Sequence, residues 1–126
     1  MKSPLAFRKR FFLAAAESAF ALALLTAAAP AGANGNDPKL QAKMALGKKV
    51  FTQLAQPPCA VCHTLKDAGS SAEIGPKLDE LKPDAQRVAT AVRNGLGIMP
   101  AYGGVLTEEQ IEALADYVAR ASGASK

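Results

Sequence analysis

Cysteine, histidine and large aromatic residues are scarce in this chain of 126 residues, which has two cysteines, one histidine and no tryptophan. Cys59 and Cys62 lie only three positions apart, so a disulfide between them would close a trivial loop and stabilise little. Four of the five phenylalanines fall within the first 20 residues, and only Phe51 lies beyond them. This composition excludes a disulfide framework and leaves few aromatic side chains for a hydrophobic core.

The first 33 residues have the pattern of a secretory signal peptide. A largely apolar stretch over 11–29 is followed by Ala-Gly-Ala at 31–33, the small-residue pattern that a signal peptidase reads. We predict cleavage after Ala33 and export to the periplasm, which leaves a single domain of 93 residues at 34–126. The basic residues that precede the apolar stretch are Lys2, Arg8, Lys9 and Arg10.

An uncleaved membrane anchor is the alternative interpretation of this segment. Glu17 and Ser18 interrupt the apolar stretch and leave 19–29 as its longest uninterrupted part. A spanning helix needs about 20 mostly apolar residues, and a carboxylate near its middle is costly. We therefore expect no stable membrane anchor after cleavage.

The net charge of +4 belongs mostly to the predicted signal peptide. That segment holds four of the 15 basic residues and one of the 11 acidic residues, so 11 basic and 10 acidic residues remain, a net charge of +1. No basic stripe with interleaved aromatic residues remains, so nucleic-acid binding is not expected. Because a hydrophobic core alone is marginal in 93 residues, a large buried cofactor is the better candidate for completing it.

Three segments of the predicted domain have the patterns of helices. Asp37 and Pro38 form a helix-start signal, and the proline pair at 57–58 ends that helix. A middle helix is expected over 84–94, followed by Gly95 as its C-cap. The first helix has an apolar face made of Leu40, Met44, Gly47, Phe51 and Leu54.

The last predicted helix opens with a capping box at Thr107. Its apolar residues recur at helical spacing, and they are Ile111, Leu114, Ala115 and Val118, with Tyr117 beside them. The segment 57–83 is rich in Gly, Pro, Ser and Asp and predicts a long loop with one helical turn around the cysteines. A loop of this length in a compact domain is usually functional, and wrapping a cofactor would be such a function.

The run Cys59-Ala60-Val61-Cys62-His63 is a haem-attachment motif. Two thiols three positions apart reach the two vinyl groups of one haem, and the adjacent imidazole supplies a nitrogen ligand to the iron. A thioredoxin-like redox pair would need a βαβ context, which the pattern lacks. A zinc site would need a second Cys or His pair to complete a tetrahedron, and none exists.

Counting the histidines and methionines limits the candidates for the ligand on the other side of the iron. His63 is the only histidine, so two histidine ligands from this chain are excluded. Met1 leaves with the predicted signal peptide, and Met44 lies on the apolar face of the first helix, where core packing is its simpler role. Met99 lies in a Gly/Pro-rich loop, where it is either a buried loop anchor or the second iron ligand. A thioether ligand favours Fe(II) and raises the reduction potential.

The sequence resembles a class I cytochrome c over nearly the whole predicted domain. The Gly47 and Phe51 pair resembles the N-terminal helix of that family, and the resemblance implies that this helix crosses the C-terminal helix near Tyr117. Residues 75–78 (GPKL) resemble a Gly-Pro-x-Leu segment. The resemblance implies that Pro76 O accepts the Nδ1–H of His63, that residue 78 packs on the haem, and that 99–100 is the ligand loop.

A closer resemblance is to the cytochrome subunit of periplasmic sulfite dehydrogenases, and it rests on 78–84 (LDELKPD), 93–95 (RNG) and 98–100 (IMP). In that family a molybdenum subunit oxidises sulfite and passes electrons to the small haem subunit. The resemblance implies such a partner, together with a downstream cytochrome or oxidase. The alternative within electron transfer is a free shuttle to a terminal oxidase or reductase.

The predicted fold is all-α, with three main helices and long loops wrapped around one covalent haem c. The expected site consists of Cys59 and Cys62 as attachment residues and His63 and Met99 as iron ligands. We expect an electron-transfer protein rather than an enzyme, because a gas sensor or peroxidase needs an open sixth position and a peroxidase also needs a distal acid–base residue. A small apolar docking patch is expected from Pro57, Pro58, Ala60, Val61, Ala101 and Tyr102.

Overall fold

The computed structural model describes residues 36–125, and the predicted signal peptide at 1–33 lies outside the described residues. The described part is predominantly helical, as predicted, with one two-residue strand pair. No helix in it is long and apolar enough to cross a lipid bilayer. The helices are α1 (Pro38–Lys49), α2 (Leu78–Leu81), α3 (Ala85–Asn94) and α4 (Glu108–Ala121), and the strands are β1 (Thr64–Leu65) and β2 (Ser70–Ser71).

The predicted helix starts are confirmed at all three main helices. The Asp37 carboxylate accepts a hydrogen bond from Lys39 N at 2.9 Å, and the Asp84 carboxylate caps α3 in the same way. At α4, Thr107 Oγ1 accepts from Gln110 N and the Gln110 side chain accepts from Thr107 N, which completes the capping box. These bonds satisfy backbone donors that have no partner inside the helix.

The first helix differs from its predicted form. Regular α-helix ends at Lys49, and one turn of π-helix, Val50–Leu54, continues the segment. Val50 and Phe51 in this turn are buried, whereas Leu40 and Met44 are only partly buried. On the predicted apolar face only Gly47 and Phe51, towards its C-terminal end, are fully buried. Met44 packs against the core, as predicted.

Helix α1 crosses α4 at a glycine. A Cβ atom on Gly47 would overlap Ala113 O and would lie 2.5 Å from Tyr117 Cβ. The Phe51 and Tyr117 rings meet edge to face, with centroids 6.3 Å apart and an interplanar angle of 65°. The crossing implied by the family resemblance is thus confirmed, and the absence of a side chain at Gly47 allows the backbones to approach.

The long loop contains more structure than its composition predicts. Strands β1 and β2 pair antiparallel around a single 3₁₀ turn, Lys66–Ala68. Helix α2 is a single turn in which Leu78 is buried and which ends at Lys82 in the left-handed region. The sequence pattern missed both elements because they are too short to show a periodicity.

Candidate functional site

A cavity of about 340 Å³ lies at the centre of the described domain. This volume is within the range of small-molecule and cofactor sites, which are mostly apolar. Its walls come from the π-turn, α2, α3, α4 and the loops around them, and it is partly open to solvent, since Ile74, Leu96 and Ile98 on its walls are exposed. Buried apolar side chains on these walls are Phe51, Leu78, Val88, Val92, Leu114 and Val118.

The attachment motif lies against this cavity in one turn of 3₁₀-helix, Cys59–Val61. Cys59 O accepts hydrogen bonds from Cys62 N at 3.1 Å and from His63 N at 3.0 Å. This turn gathers the two thiols and the imidazole, and all three residues line the cavity. Both cysteines are free thiols.

The environment of Cys59 does not suit a redox-active dithiol. Burial raises the pKa of the Cys59 thiol to about 11, outweighing the lowering effect of a backbone hydrogen bond. A thioredoxin-like pair needs a nucleophilic thiolate with a lowered pKa. The buried Cys59 thiol is instead protonated at neutral pH, which argues against the redox-pair interpretation of the motif.

His63 is held by the backbone of the segment that follows the strand pair. Its Nδ1 lies 2.9 Å from Pro76 O, and because a carbonyl only accepts, Nδ1 must carry the proton. The bond implied by the family resemblance is confirmed. In the neutral ring this arrangement leaves Nε2 without a proton and able to act as a metal ligand.

Gly75 makes room for the imidazole. A Cβ atom on Gly75 would lie 2.5 Å from His63 Cε1 and 2.9 Å from His63 Nδ1, which is closer than real side chains approach. Gly75 N also donates a hydrogen bond to Cys62 O at 2.8 Å, which ties this segment to the attachment motif. The glycine of the GPKL run is therefore required by the ring that it covers.

Met99 reaches the same cavity from the loop between α3 and α4. The backbones of Leu96 and Met99 exchange two hydrogen bonds, of 3.1 and 3.0 Å, which close a tight loop. Gly95 caps α3 just before this loop, as predicted, and its N–H bonds to Ala91 O at 2.8 Å. The structure thus brings together all four residues predicted for the site, although they come from segments up to 40 residues apart.

Tyr102 has a role that the sequence did not reveal. The prediction placed it on an exposed docking patch, and this is wrong: Tyr102 is 4% exposed and lines the cavity. Its hydroxyl donates to Pro57 O at 2.8 Å, and its backbone N–H donates to Val92 O at 2.8 Å. Tyr102 therefore connects the Met99 loop both to the segment before Cys59 and to α3.

Two further features were not predicted from the sequence. The Tyr117 hydroxyl donates to Asp67 Oδ2 at 2.6 Å, and Lys48 Nζ lies 3.2 Å from the same oxygen, so three separate segments meet at one carboxylate. Arg87 lines the central cavity. Both features depend on contacts between residues distant in sequence, which leave no local pattern.

The residues around the cavity fit a covalently attached haem. The walls are apolar, two thiols lie in one turn, and an imidazole with an unprotonated Nε2 stands beside them. A thioether in the wall is a second donor of a type that haem iron accepts. The thiols, the two candidate iron ligands and the apolar walls together match what a covalently bound haem requires.

A sequence-family model described as cytochrome c oxidase, cbb3-type, subunit III matches residues 42–118. The chain belongs to this family and is a class I c-type cytochrome. The cytochrome is 55% identical to the c-type cytochrome SorU from Sinorhizobium meliloti, whose crystal structure aligns with a TM-score of 0.64. That alignment covers 66% of this chain and 94% of SorU.

Cytochromes c6 are further relatives of this cytochrome. Cytochrome c6 of Microcystis aeruginosa is 41% identical over 64 residues, which are 48% of this chain and 79% of that protein. Cytochrome c6 of Rippkaea orientalis is 37% identical over 89 residues, which are 64% of this chain and 73% of that protein. The cytochrome is therefore an electron-transfer protein rather than an enzyme, and its cofactor is covalently bound haem c.

Proposed function

We propose that this cytochrome is the periplasmic haem subunit that accepts electrons from a molybdenum-containing sulfite-oxidising subunit. In this proposal Cys59 and Cys62 hold one haem c, and His63 and Met99 are its axial ligands. One observation carries the site: the two thiols, the imidazole and the thioether line the same apolar cavity. When bound, haem c takes up and releases one electron at its iron.

The side chains of this site would set the properties of the iron. His63 donates Nδ1–H to Pro76 O, so its ring is held in one orientation with Nε2 available. The soft sulfur of Met99 favours Fe(II), and the apolar walls disfavour the additional positive charge of Fe(III). Both effects raise the reduction potential. If His63 and Met99 both bound the iron, no position would remain open for a substrate, which would suit electron transfer alone.

The periplasmic location is supported by the signal-peptide pattern at 1–33 and by the cleavage site predicted after Ala33. The sulfite-oxidising partner is supported by the resemblance over 78–84, 93–95 and 98–100. Two of these runs adjoin the site, since Leu78, Leu81 and Met99 line the cavity. A free shuttle to a terminal oxidase or reductase is the second candidate, and the similarity to cytochrome c6 favours it.

The ligand assignment is tested with Met99→Ala. Loss of the thioether should lower the reduction potential, on the order of 100 mV, a fraction of the ~0.8 V range that axial ligands span. The sulfur-to-iron charge-transfer band of the oxidised protein should disappear. A variant in which both Cys59 and Cys62 are replaced should lose haem in denaturant, whereas the wild type keeps it. A band that persists in Met99→Ala excludes Met99 as ligand.

The partner is tested by mixing the oxidised cytochrome with a purified molybdenum sulfite-oxidising enzyme from the same organism and adding sulfite. Rapid reduction of the haem at low micromolar cytochrome, together with co-purification from native extract, supports the subunit. Reduction by other donors and turnover with a terminal oxidase, without any response to sulfite, supports the shuttle. Horse heart cytochrome c serves as the control for unspecific electron transfer.

A further inference from the structure

Arg87 is the only Lys, Arg, Asp or Glu among the residues that line the central cavity in the described part of the chain. All other lining residues are apolar, apart from the motif cysteines, His63 and Tyr102. Arg87 is exposed as well as cavity-lining, so it lies where the cavity opens to solvent and where a polar end of a bound group would sit. The position of Arg87 therefore points to an anionic group on whatever fills the cavity.

No protein group supplies that anion. Within the described residues the Arg87 guanidinium makes no ion pair or hydrogen bond, whereas Arg93, further along α3, is held by Glu108 at 2.6 Å. The backbone of Arg87 is fixed, because its N–H donates to the Asp84 carboxylate at 2.8 Å. Arg87 is thus fixed through its backbone and exposed, and its guanidinium has no ion-pair or hydrogen-bond partner in the described part of the chain.

The place of Arg87 in its helix argues against a purely local role. It lies in the first turn of α3, and a positive charge there opposes the helix dipole. Residues in that turn are normally neutral or acidic. The charge of Arg87 therefore does not stabilise α3 through the dipole, and an interaction on the side of the cavity would account for it.

We propose that Arg87 binds a propionate carboxylate of the haem. This proposal rests on the proposed haem site. Haem c has two carboxylates, and the guanidinium fork matches one of them with two parallel N–H···O bonds. Arg87 would hold the cofactor at its carboxylate side while Cys59 and Cys62 hold it at the vinyl side. Its positive charge near the iron also favours Fe(II) and so raises the reduction potential.

Three variants of the holo-cytochrome test this assignment at low ionic strength, where exposed charges are least screened. Arg87→Gln removes the charge, and Arg87→Lys keeps it without the fork. Arg120→Gln is the matched control, because Arg120 lies outside the cavity and likewise makes no ion pair among the described residues. The readouts are the reduction potential at pH 7 and the NMR shifts of the haem propionate carbons.

Arg87→Gln should shift the Fe(II)/Fe(III) equilibrium at least threefold toward Fe(III), which is about 30 mV for one electron. It should also move the resonance of one propionate carboxylate carbon. Arg87→Lys should recover at least half of the potential shift, and Arg120→Gln should leave both readouts unchanged. The proposal is overturned if Arg87→Gln behaves like the wild type or if Arg120→Gln lowers the potential equally.

Failure of this inference is distinguishable from failure of the proposed haem site. The same samples report covalent haem in denaturant and the sulfur-to-iron band of the oxidised protein. A wild type that lacks either signature contradicts the site itself. Intact signatures in every variant, with an unchanged potential in Arg87→Gln, contradict the role of Arg87 alone.

Discussion

At position 75 the chain has room for a hydrogen atom and for little else, because the imidazole of His63 occupies the space where a side chain would begin. A methyl group placed there would meet three ring atoms within 3.0 Å. The ring would have to turn, and the 2.9 Å hydrogen bond to Pro76 O would be lost or distorted. One missing side chain therefore controls the orientation of the proposed iron ligand.

Gly75→Ala should destabilise the holo-cytochrome by about 1–3 kcal/mol, the usual cost of forcing extra atoms into a packed site. The measurement is denaturant unfolding, with the haem absorption bands recorded in the same titration. Gly104→Ala is the matched control, because a Cβ atom there meets nothing within 4 Å. Equal stabilities for Gly75→Ala and Gly104→Ala would show that the ring is not confined as described.

At the scale of elements, the α1–α4 crossing and the carboxylate of Asp67 hold the N-terminal segment to the rest of the domain. Gly47 determines how closely the two helices approach. Asp67 lies in the 3₁₀ turn between β1 and β2, where it meets Lys48 and Tyr117. The turn, the first helix and the last helix are thereby connected at one point.

Gly47→Ala separates two opposing effects. Helix propensity alone would stabilise α1 by about 1 kcal/mol, since alanine is the better helix former. The overlap with Ala113 O and Tyr117 instead predicts a net destabilisation of about 1–3 kcal/mol. Thermal unfolding of the holo-protein gives the sign directly. A higher melting temperature than that of the wild type would contradict the close crossing.

Tyr117→Phe should destabilise the protein by about 1 kcal/mol at pH 7, a modest value because half of the Asp67 side chain is exposed. The Tyr117 hydroxyl, and then Lys48, lower the pKa of Asp67 below its ordinary value. The stabilisation that the ionised Asp67 carboxylate contributes is therefore complete above its pKa in the unfolded chain, about 3.9. This stabilisation declines as the pH falls through the lower pKa of Asp67 in the folded protein.

Denaturant unfolding at pH 7 and at pH 3 checks this dependence on Asp67. Tyr102→Phe is the control at both pH values, because its hydroxyl donates to the Pro57 carbonyl, which does not titrate in this range. The cost of Tyr117→Phe should shrink at the lower pH while that of Tyr102→Phe stays constant. Parallel behaviour of the two variants would contradict the assigned role of Asp67.

Local signals explain which elements the sequence could predict. The caps at Asp37 and Thr107 act within three residues, so they could be predicted from the chain and are confirmed in the structure, whereas Asp84 was expected as the first residue of α3 and is its cap. The attachment motif is equally local. By contrast, the bond from Tyr102 to Pro57 spans 45 residues and that from Tyr117 to Asp67 spans 50.

Contacts of such span are created by packing, and no single-sequence pattern reports them. The burial of Tyr102 was missed for this reason, and so was the role of Asp67. The Nδ1 partner of His63 was anticipated only because the run at 75–78 resembles a known segment. Without that resemblance, a carbonyl 13 residues away would have been equally invisible.

At the scale of the whole molecule, the chain folds around a cavity that its own side chains do not fill and that the haem would occupy. Some of the cavity's apolar lining residues are exposed in the chain alone and would be covered by the cofactor, and they are Ile74, Leu81, Leu96 and Ile98. Unfilled apolar volume weakens a protein roughly in proportion to its size. A domain this small has little stability in reserve.

The chain without haem, prepared by replacing both Cys59 and Cys62 with alanine, stripping any non-covalently bound haem in denaturant and removing the denaturant, should therefore lose cooperative folding. Circular dichroism should show a large loss of helical signal at 25 °C and no sharp thermal transition, whereas the holo-protein melts cooperatively. The holo-form of Gly104→Ala, taken through the same purification, controls for handling. A haem-free chain that melts within a few degrees of the holo-protein would show that the side chains lining the cavity pack stably without the cofactor.

The hydrogen-bond partner of His63 Nδ1 is a main-chain oxygen, and this affects which substitutions the site can tolerate. Every residue at position 76 presents the same carbonyl, so no single substitution there deletes the acceptor. A carbonyl also gains and loses no proton between acid and alkaline conditions. Substitution at position 76 thus leaves an acceptor for His63 in place, whereas a change at Met99 or in the nearby charges would alter the proposed iron site directly.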